Sequence, residues 1–333
     1  MSAAGNVIVG ALEGTEITPE EVSLLCRAKL AGITLFKRNI TPAFSQDLRT
    51  LNQRVQGLRP AGNPPLIVAI DQEGGRVSRL PPPFPDAGPA FHLFESLAPA
   101  ARATAIEQYA WGVGTCLVGL GVNVNFAPCA DIITNAQNTA IGDRAFADNA
   151  PTVTLLAGAF LEGLRNAGVA GCLKHFPGQG DASADTHTAG ATIPLSRADL
   201  ERRELVPFMN LLAMAPMVMM SHCTYPAFDT KQASLSKVIM QDLIRNELNY
   251  KGLIVSDDMN MEAISQDLKS WCEAIEGALA AGADLILVCR KVDRMVAAEE
   301  HLNKVARRSP AFREILEHRA QNVWATRTKL AIA

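Results

Sequence analysis

The chain has 333 residues, 48% of them apolar, and a formal net charge of -3 from 31 basic and 34 acidic residues. That apolar content can build one large core or two smaller ones, and charges interspersed along the chain exclude a nucleic-acid or anionic-membrane grip based on a block of like charge. Seven cysteines, Cys26, Cys116, Cys129, Cys172, Cys223, Cys272 and Cys289, are an odd number without a CxxC pair, which fits a reducing compartment better than a disulfide framework.

Residues 1–14 place no Lys or Arg before a short apolar run that Glu13 interrupts, so a signal peptide is not expected. Short runs rich in Val, Ile and Leu then predict strands at 6–12, 32–36, 66–71, 122–128, 171–176, 217–222, 252–257 and 284–289. Helical spacing is found between most of them, within 19–32, 103–121, 152–168, 196–212, 236–249 and 272–282, and several of these segments end in glycine. The longest apolar stretch, 211–220, falls far short of the roughly 20 residues that span a bilayer. A cytoplasmic protein is expected.

Apolar runs without strict alternation imply strands covered on both faces, hence a parallel sheet with helices outside. Eight of them in one chain predict an α/β fold, a (β/α)8 TIM-type barrel forming a single catalytic domain over 1–333. The segment PPPFPDAGP at 81–89 then reads as a long loop after the third strand. Active sites of such barrels lie at the C-terminal ends of the strands. Polar residues collect there: Lys37, Arg38 and Asn39, then Asp71, Gln72, Glu73 and Arg76, Asn125 and Asp131, Lys174 and His175, Ser221 and His222, and Ser256, Asp257 and Asp258. Glu73 and Asp258 are expected to make structural hydrogen bonds, and His222 stands open between a core histidine and a site residue.

The segment KHFPGQGDASADTHTA (174–189) concentrates Lys174, His175, Asp181, Asp185 and His187 on one loop. Two chemistries compete for it. His175, Asp181, Asp185 and His187 suit a divalent metal such as zinc or manganese, although the HxH pair that metal-dependent barrels of the amidohydrolase kind bring from their first strand is absent from NVIVGALEG. Alternatively Asp257, ending an apolar strand, attacks carbon while His187, oriented by Asp185, moves a proton.

DQEGGRVSR (71–79), IGDRAF (141–146), KHFPGQG (174–180) with the following DTH, and VSDDMNM (255–261) occur in this order at strand ends. Together they closely resemble the single-domain bacterial β-N-acetylglucosaminidases of glycoside hydrolase family 3, the NagZ-like branch. The resemblance implies Asp257 as nucleophile, His187 as general acid/base and Asp185 as its partner, with Asp71, Arg79, Arg144, Lys174 and His175 holding the terminal sugar. It implies no metal and no other cofactor, and a monomer whose partner is a small carbohydrate, the N-acetylglucosaminide of cell-wall turnover. One position departs from the commoner pattern, Gln179 standing where many members have His. A histidine acid does not repel an incoming anion, so a phosphorylase of the same fold remains the alternative, beside the metal-dependent hydrolase and a sugar-binding barrel without activity.

Overall fold

The computed structural model describes residues 3–182, 190–264 and 267–330. Eight strands, β1 (Ile8–Ala11), β2 (Gly32–Leu35), β3 (Ile67–Ile70), β4 (Val124–Asn125), β5 (Ala170–Phe176), β6 (Met217–Met220), β7 (Leu253–Asp258) and β8 (Leu285–Leu287), close into a parallel barrel in chain order, β8 pairing with β1. All eight lie inside or against the predicted runs. Six are shorter than their runs, most of all β4, whereas β5 and β7 each take in one further residue, Ala170 and Asp258.

Side chains of a strand alternate between faces, and the buried residues divide accordingly. Val9, Ala11, Ile67, Ala69, Val124, Phe126, Cys172, Met217, Met219, Leu253, Val255, Leu285, Leu287 and Cys289 fill the barrel, whereas Ile8, Ile33, Leu35, Val68, Ile70, Leu173, Val218 and Ile254 pack outwards in the helix layer. That layer contains α1 (Pro19–Ser23), α2 (Phe44–Gly57), α3 (Pro99–Gly119), α4 (Ala150–Asn166), α5 (Arg197–Asp199), α6 (Val206–Leu211), α7 (Leu268–Ala281), α8 (Val292–Arg308) and α9 (Pro310–Arg327), with a wide helical segment, Val238–Glu247, between β6 and β7. Their starts are chemically marked: Thr18 and Glu21 form a reciprocal capping box before α1, and Asn149, Ser196, Asp267 and Ser309 cap α4, α5, α7 and α9. No helix among the described residues is long and apolar enough to cross a membrane.

The helical spacing did not reveal α2, α8 or α9, which add to the predicted segments. Buried Leu48, Leu51 and Val55 fix α2, and Met295, Ala298 and Leu302 fix α8, each a narrow stripe on an otherwise polar helix. On α9, buried Arg327 donates to the carbonyls of Pro65 (2.8 Å) and Pro64 (2.9 Å) just before β3, closing the lower end of the barrel. Asp284, fully buried before β8, ties this side together. It accepts from Arg245, from the Ile254 amide (2.9 Å) and from Asn322 Nδ2 (2.9 Å), with Arg319 at 3.5 Å.

Asp284→Ala leaves two arginines without their buried anion. We expect a loss of about 3–5 kcal/mol, read as a large fall in thermal midpoint, with Asp284→Asn retaining part of the stability.

Candidate active site

The inward rows of the barrel continue past its apolar layers into functional residues. Asp71 follows Ile67 and Ala69, Lys174 follows Cys172, Asp257 follows Leu253 and Val255, and Phe36 follows Thr34. They line a cavity of about 470 Å³ at the C-terminal ends of the strands, shared with Arg38, Arg76, Arg79, Phe126, Arg144, His175, Met219, Asp258, Met261, Cys289 and Arg290. This volume is in the range of small-molecule sites.

A chain of buried charges forms one wall. Lys174 Nζ lies 2.9 Å from Asp71 Oδ1 and 2.6 Å from Glu73 Oε1. Arg144 grips Glu73 through Nε and Nη2, both at 2.9 Å, and Arg79 Nη2 reaches Asp71 Oδ2 at 3.2 Å. Burial works against every one of these charges, but pairing outweighs it. Lys174 and Arg79 hold Asp71 below the usual carboxylate range, Arg144 and Lys174 hold Glu73 far below it, and the carboxylates raise Lys174 and Arg144. Arg79 Nε is buried without a hydrogen-bond partner among the described residues.

His175 breaks the alternation. In a regular strand it would face away from the cavity that Lys174 faces, yet both line it; the register of β5 against β6 shifts between Leu173 and Phe176, and the Lys174–His175 peptide is cis. His175 Nδ1 lies 2.6 Å from Asp131 Oδ2, and its Nε2 lies 3.4 Å from Arg144 Nη2. Cys129 Sγ donates to the same Asp131 oxygen at 3.3 Å. Cys129, Asp131 and His175 are close enough to share an ion, while burial pushes the Cys129 thiol well up and Arg144 brings a positive charge to 3.4 Å from His175 Nε2. Of the four residues first weighed as metal ligands, His175 thus belongs to Asp131 and Asp181 pairs with Arg203 at 3.3 Å. Asp185 and His187 lie outside the described residues.

The remaining rim residues divide clearly. Glu73, expected to be structural, lies behind the cavity wall as the anion that orders Lys174 and Arg144. Asp258 accepts from the amides of Asn260 (3.0 Å) and Cys289 (3.1 Å), and its own N–H donates to Asp257 Oδ1 at 2.7 Å. His222 is a core histidine, bonded to Ser234 Oγ (2.6 Å) and the Asp258 carbonyl (3.2 Å). Arg76 secures the loop that carries Arg144, donating to Asp143 (2.9 Å) and to three successive carbonyls from Thr139 to Ile141. Asn125 fixes the start of the loop after β3, exchanging side-chain hydrogen bonds with the Gln72 backbone at 2.9 and 3.0 Å.

The root of the 174–189 loop is locked. Gly178 has φ +111°, and a Cβ there would come 2.8 Å from Glu204 Cβ; a Cβ on Gly180 would lie 1.5 Å from the Ile132 carbonyl oxygen. The glycines permit close packing. Gln179 donates its N–H to Asp131 Oδ1 (2.8 Å), accepts from Ser221 Oγ (2.8 Å), and its carbonyl takes Asn138 Nδ2 (2.7 Å). An amide at this position therefore knits the loop root to β4 and β6. Beneath it Glu204 is fully buried, bonded to Thr134 (3.1 Å) and Arg203 (2.8 Å), and burial outweighs Arg203 to push its carboxyl up to about 7.

Residues 6–323 match the glycosyl hydrolase family 3 N terminal domain. The chain belongs to glycoside hydrolase family 3. This family 3 chain is 35% identical over 302 residues to a β-hexosaminidase of Alkalilimnicola ehrlichii, covering 90% of the chain and 84% of that protein. Among solved structures it is similar to a family 3 β-N-acetylglucosaminidase from Paenibacillus sp. (TM-score 0.90, 32% identity), covering 100% of the chain and 63% of that longer one. It is also similar to NagZ from Neisseria gonorrhoeae in complex with N-trifluoroacetyl-D-glucosamine (TM-score 0.79, 27% identity), covering 96% of the chain and 98% of that protein.

Two outcomes are expected. Glu73→Gln, which touches no cavity surface, weakens the charge-assisted hydrogen bonds to Lys174 and Arg144, each worth about 1.5–3 kcal/mol, and should lower the thermal midpoint by several degrees while Arg76→Gln at the exposed pair lowers it much less. Glu204, whose folded-state pKa lies above the ordinary carboxylate value, keeps a proton that the unfolded chain releases, so its contribution to stability declines as pH rises from about 4.5 to about 7. Glu204→Gln should therefore be more stable than the parent at pH 8, by about 1–3 kcal/mol, and not at pH 5, as read by denaturant unfolding at the two pH values.

Proposed function

We propose that this glycoside hydrolase of the β-N-acetylhexosaminidase type removes terminal β-linked N-acetylglucosamine with net retention, the barrel serving as the catalytic unit. Asp257 is the nucleophile and His187, oriented by Asp185, the general acid/base. The observation that carries this reading is the placement of Asp257, the last inward residue of β7, across the cavity from the Asp71–Lys174–Glu73–Arg144 network.

That wall suits the hydroxyls of a neutral sugar. Asp71 offers carboxylate acceptors, Lys174, Arg144 and Arg79 offer donors, and His175 offers Nε2. Cleavage passes through an oxocarbenium-like state, which the Asp257 carboxylate stabilises before bonding to the anomeric carbon; the leaving oxygen takes a proton from His187. Water, activated by the same imidazole, then attacks the glycosyl-enzyme, Asp257 departs, and configuration is retained. The substrate proposed is the cell-wall turnover fragment that joins N-acetylglucosamine to anhydro-N-acetylmuramic acid, with or without peptide. Seven free cysteines support a cytoplasmic setting.

Asp257→Ala should lower turnover by about 10⁴-fold or more, and a fluorinated glycosyl inactivator should label Asp257; a label on Asp258 overturns the assignment. His187→Ala should cost about 10²- to 10⁴-fold on glycosides with poor leaving groups and much less on nitrophenyl glycosides, and equal losses on both would identify another acid. Product analysis with and without phosphate separates hydrolysis from phosphorolysis. Loss of activity on chelation, restored by zinc, would support a metal-dependent hydrolase instead.

A further inference from the structure

Six cations line the cavity: Arg38, Arg76, Arg79, Arg144, Lys174 and Arg290. Four have carboxylate partners, Arg76 with Asp143, Arg79 and Lys174 with Asp71, and Arg144 with Glu73. Neither Arg38 nor Arg290 has one within 4.0 Å among the described residues. The two stand together on the opposite wall, after β2 and β8.

Arg38 is built into that wall. Its Nε donates to the Leu12 carbonyl (2.8 Å) and its Nη2 to the Cys289 carbonyl (2.9 Å), while the guanidinium lies 4.6 Å over the Phe36 ring. These contacts fix the plane of the group and leave Nη1 without a described partner. Burial disfavours its charge and the Arg290 cation disfavours it further, with Cys289, Asp258 and Glu13 acting the other way. Asp258, the nearby carboxylate, already accepts from the amides of Asn260 and Cys289. Two neighbouring guanidinia, one held rigidly and both facing a substrate cavity, present the planar donor pattern that matches a carboxylate or phosphate.

Their position says which part of the substrate they meet. On the reading proposed above, the non-reducing sugar is held by residues of β3 to β5 and its anomeric carbon faces Asp257 on β7. The leaving group then points to the wall formed after β8, β1 and β2. We infer that Arg38 and Arg290 form a subsite for an anionic oxygen group, a carboxylate or a phosphate, on the leaving-group side of the bond that is cleaved. The inference rests on the proposed glycosidase reading and adds to it the charge of the group that departs or accepts. An anion there relieves the repulsion between the two guanidinia and leaves the sugar wall unaltered.

The test uses three substrates with the same N-acetylglucosaminyl group: the nitrophenyl glycoside, a glycoside whose leaving group carries a carboxylate, and the methyl ester of the latter. The readout is the ratio of kcat/KM for the acid to that for its ester, in which any general loss of activity cancels. The parent enzyme should favour the acid by about tenfold or more. Arg290→Gln, at an exposed position, and Arg38→Gln should each reduce the preference several-fold, and the double variant should bring it near one. If the source is instead inorganic phosphate, the ratio stays flat, and phosphate should divert product to N-acetylglucosamine 1-phosphate in the parent and several-fold less in the two variants. A flat ratio together with no response to phosphate overturns the inference while nitrophenyl cleavage leaves the glycosidase reading standing. Failure of the parent to cleave the nitrophenyl glycoside overturns both.

Discussion

Lys174 is an ammonium group with almost no exposure at the end of an apolar strand, and the upper half of the barrel is arranged to make that tolerable. An isolated charge there would be several kcal/mol unfavourable. Asp71 and Glu73 flank it on one loop, and because two carboxylates so close would repel each other, Arg79 and Arg144 complete the row. Each member needs its neighbours. The loops after β3, β4 and β5 therefore have one mutually consistent arrangement, and Arg76, Asn125 and Asp131 hold it from behind through backbone contacts.

Much of this was legible in the sequence, for a definite reason. Parallel strands covered on both faces must be apolar throughout, so eight short runs stood out, and the residue that continues the inward row of each is placed by counting in twos. Asp71, Lys174 and Asp257 follow that rule. His175 does not, since β5 changes register at that point, and only its motif identified it. Glu73 and Asp131 were visible as rim residues but not as the partners of Lys174, Arg144 and His175, because those pairings join loops some 40 to 100 residues apart. Helices α2 and α8 escaped notice since their buried stripes are thin.

Glycines in a loop ordinarily suggest backbone freedom, but Gly178 and Gly180 at the loop root serve close packing. Gly178 and Gly180 are where two other segments come too close for any side chain, and the hydrogen bonds of Gln179 span the same gap. The chain from Gly178 to Gly180 is thereby packed directly against Glu204 and Ile132 and hydrogen-bonded to Asp131, Asn138 and Ser221. Glu204 under that root is a buried carboxyl whose desolvation outweighs its pairing, with Arg203 shared between it and Asp181.

The two walls of the cavity are unlike in how change can reach them. On one wall Arg79, Lys174 and Arg144 each balance a carboxylate, so a substitution there alters the cavity lining and the folding together. On the other wall Arg290 has no described charge partner to strand, so its replacement leaves no buried charge unpaired. On the proposed glycosidase reading, new preferences for what is attached to the sugar can thus accumulate in single steps, whereas a new preference for the sugar itself requires several residues to change at once.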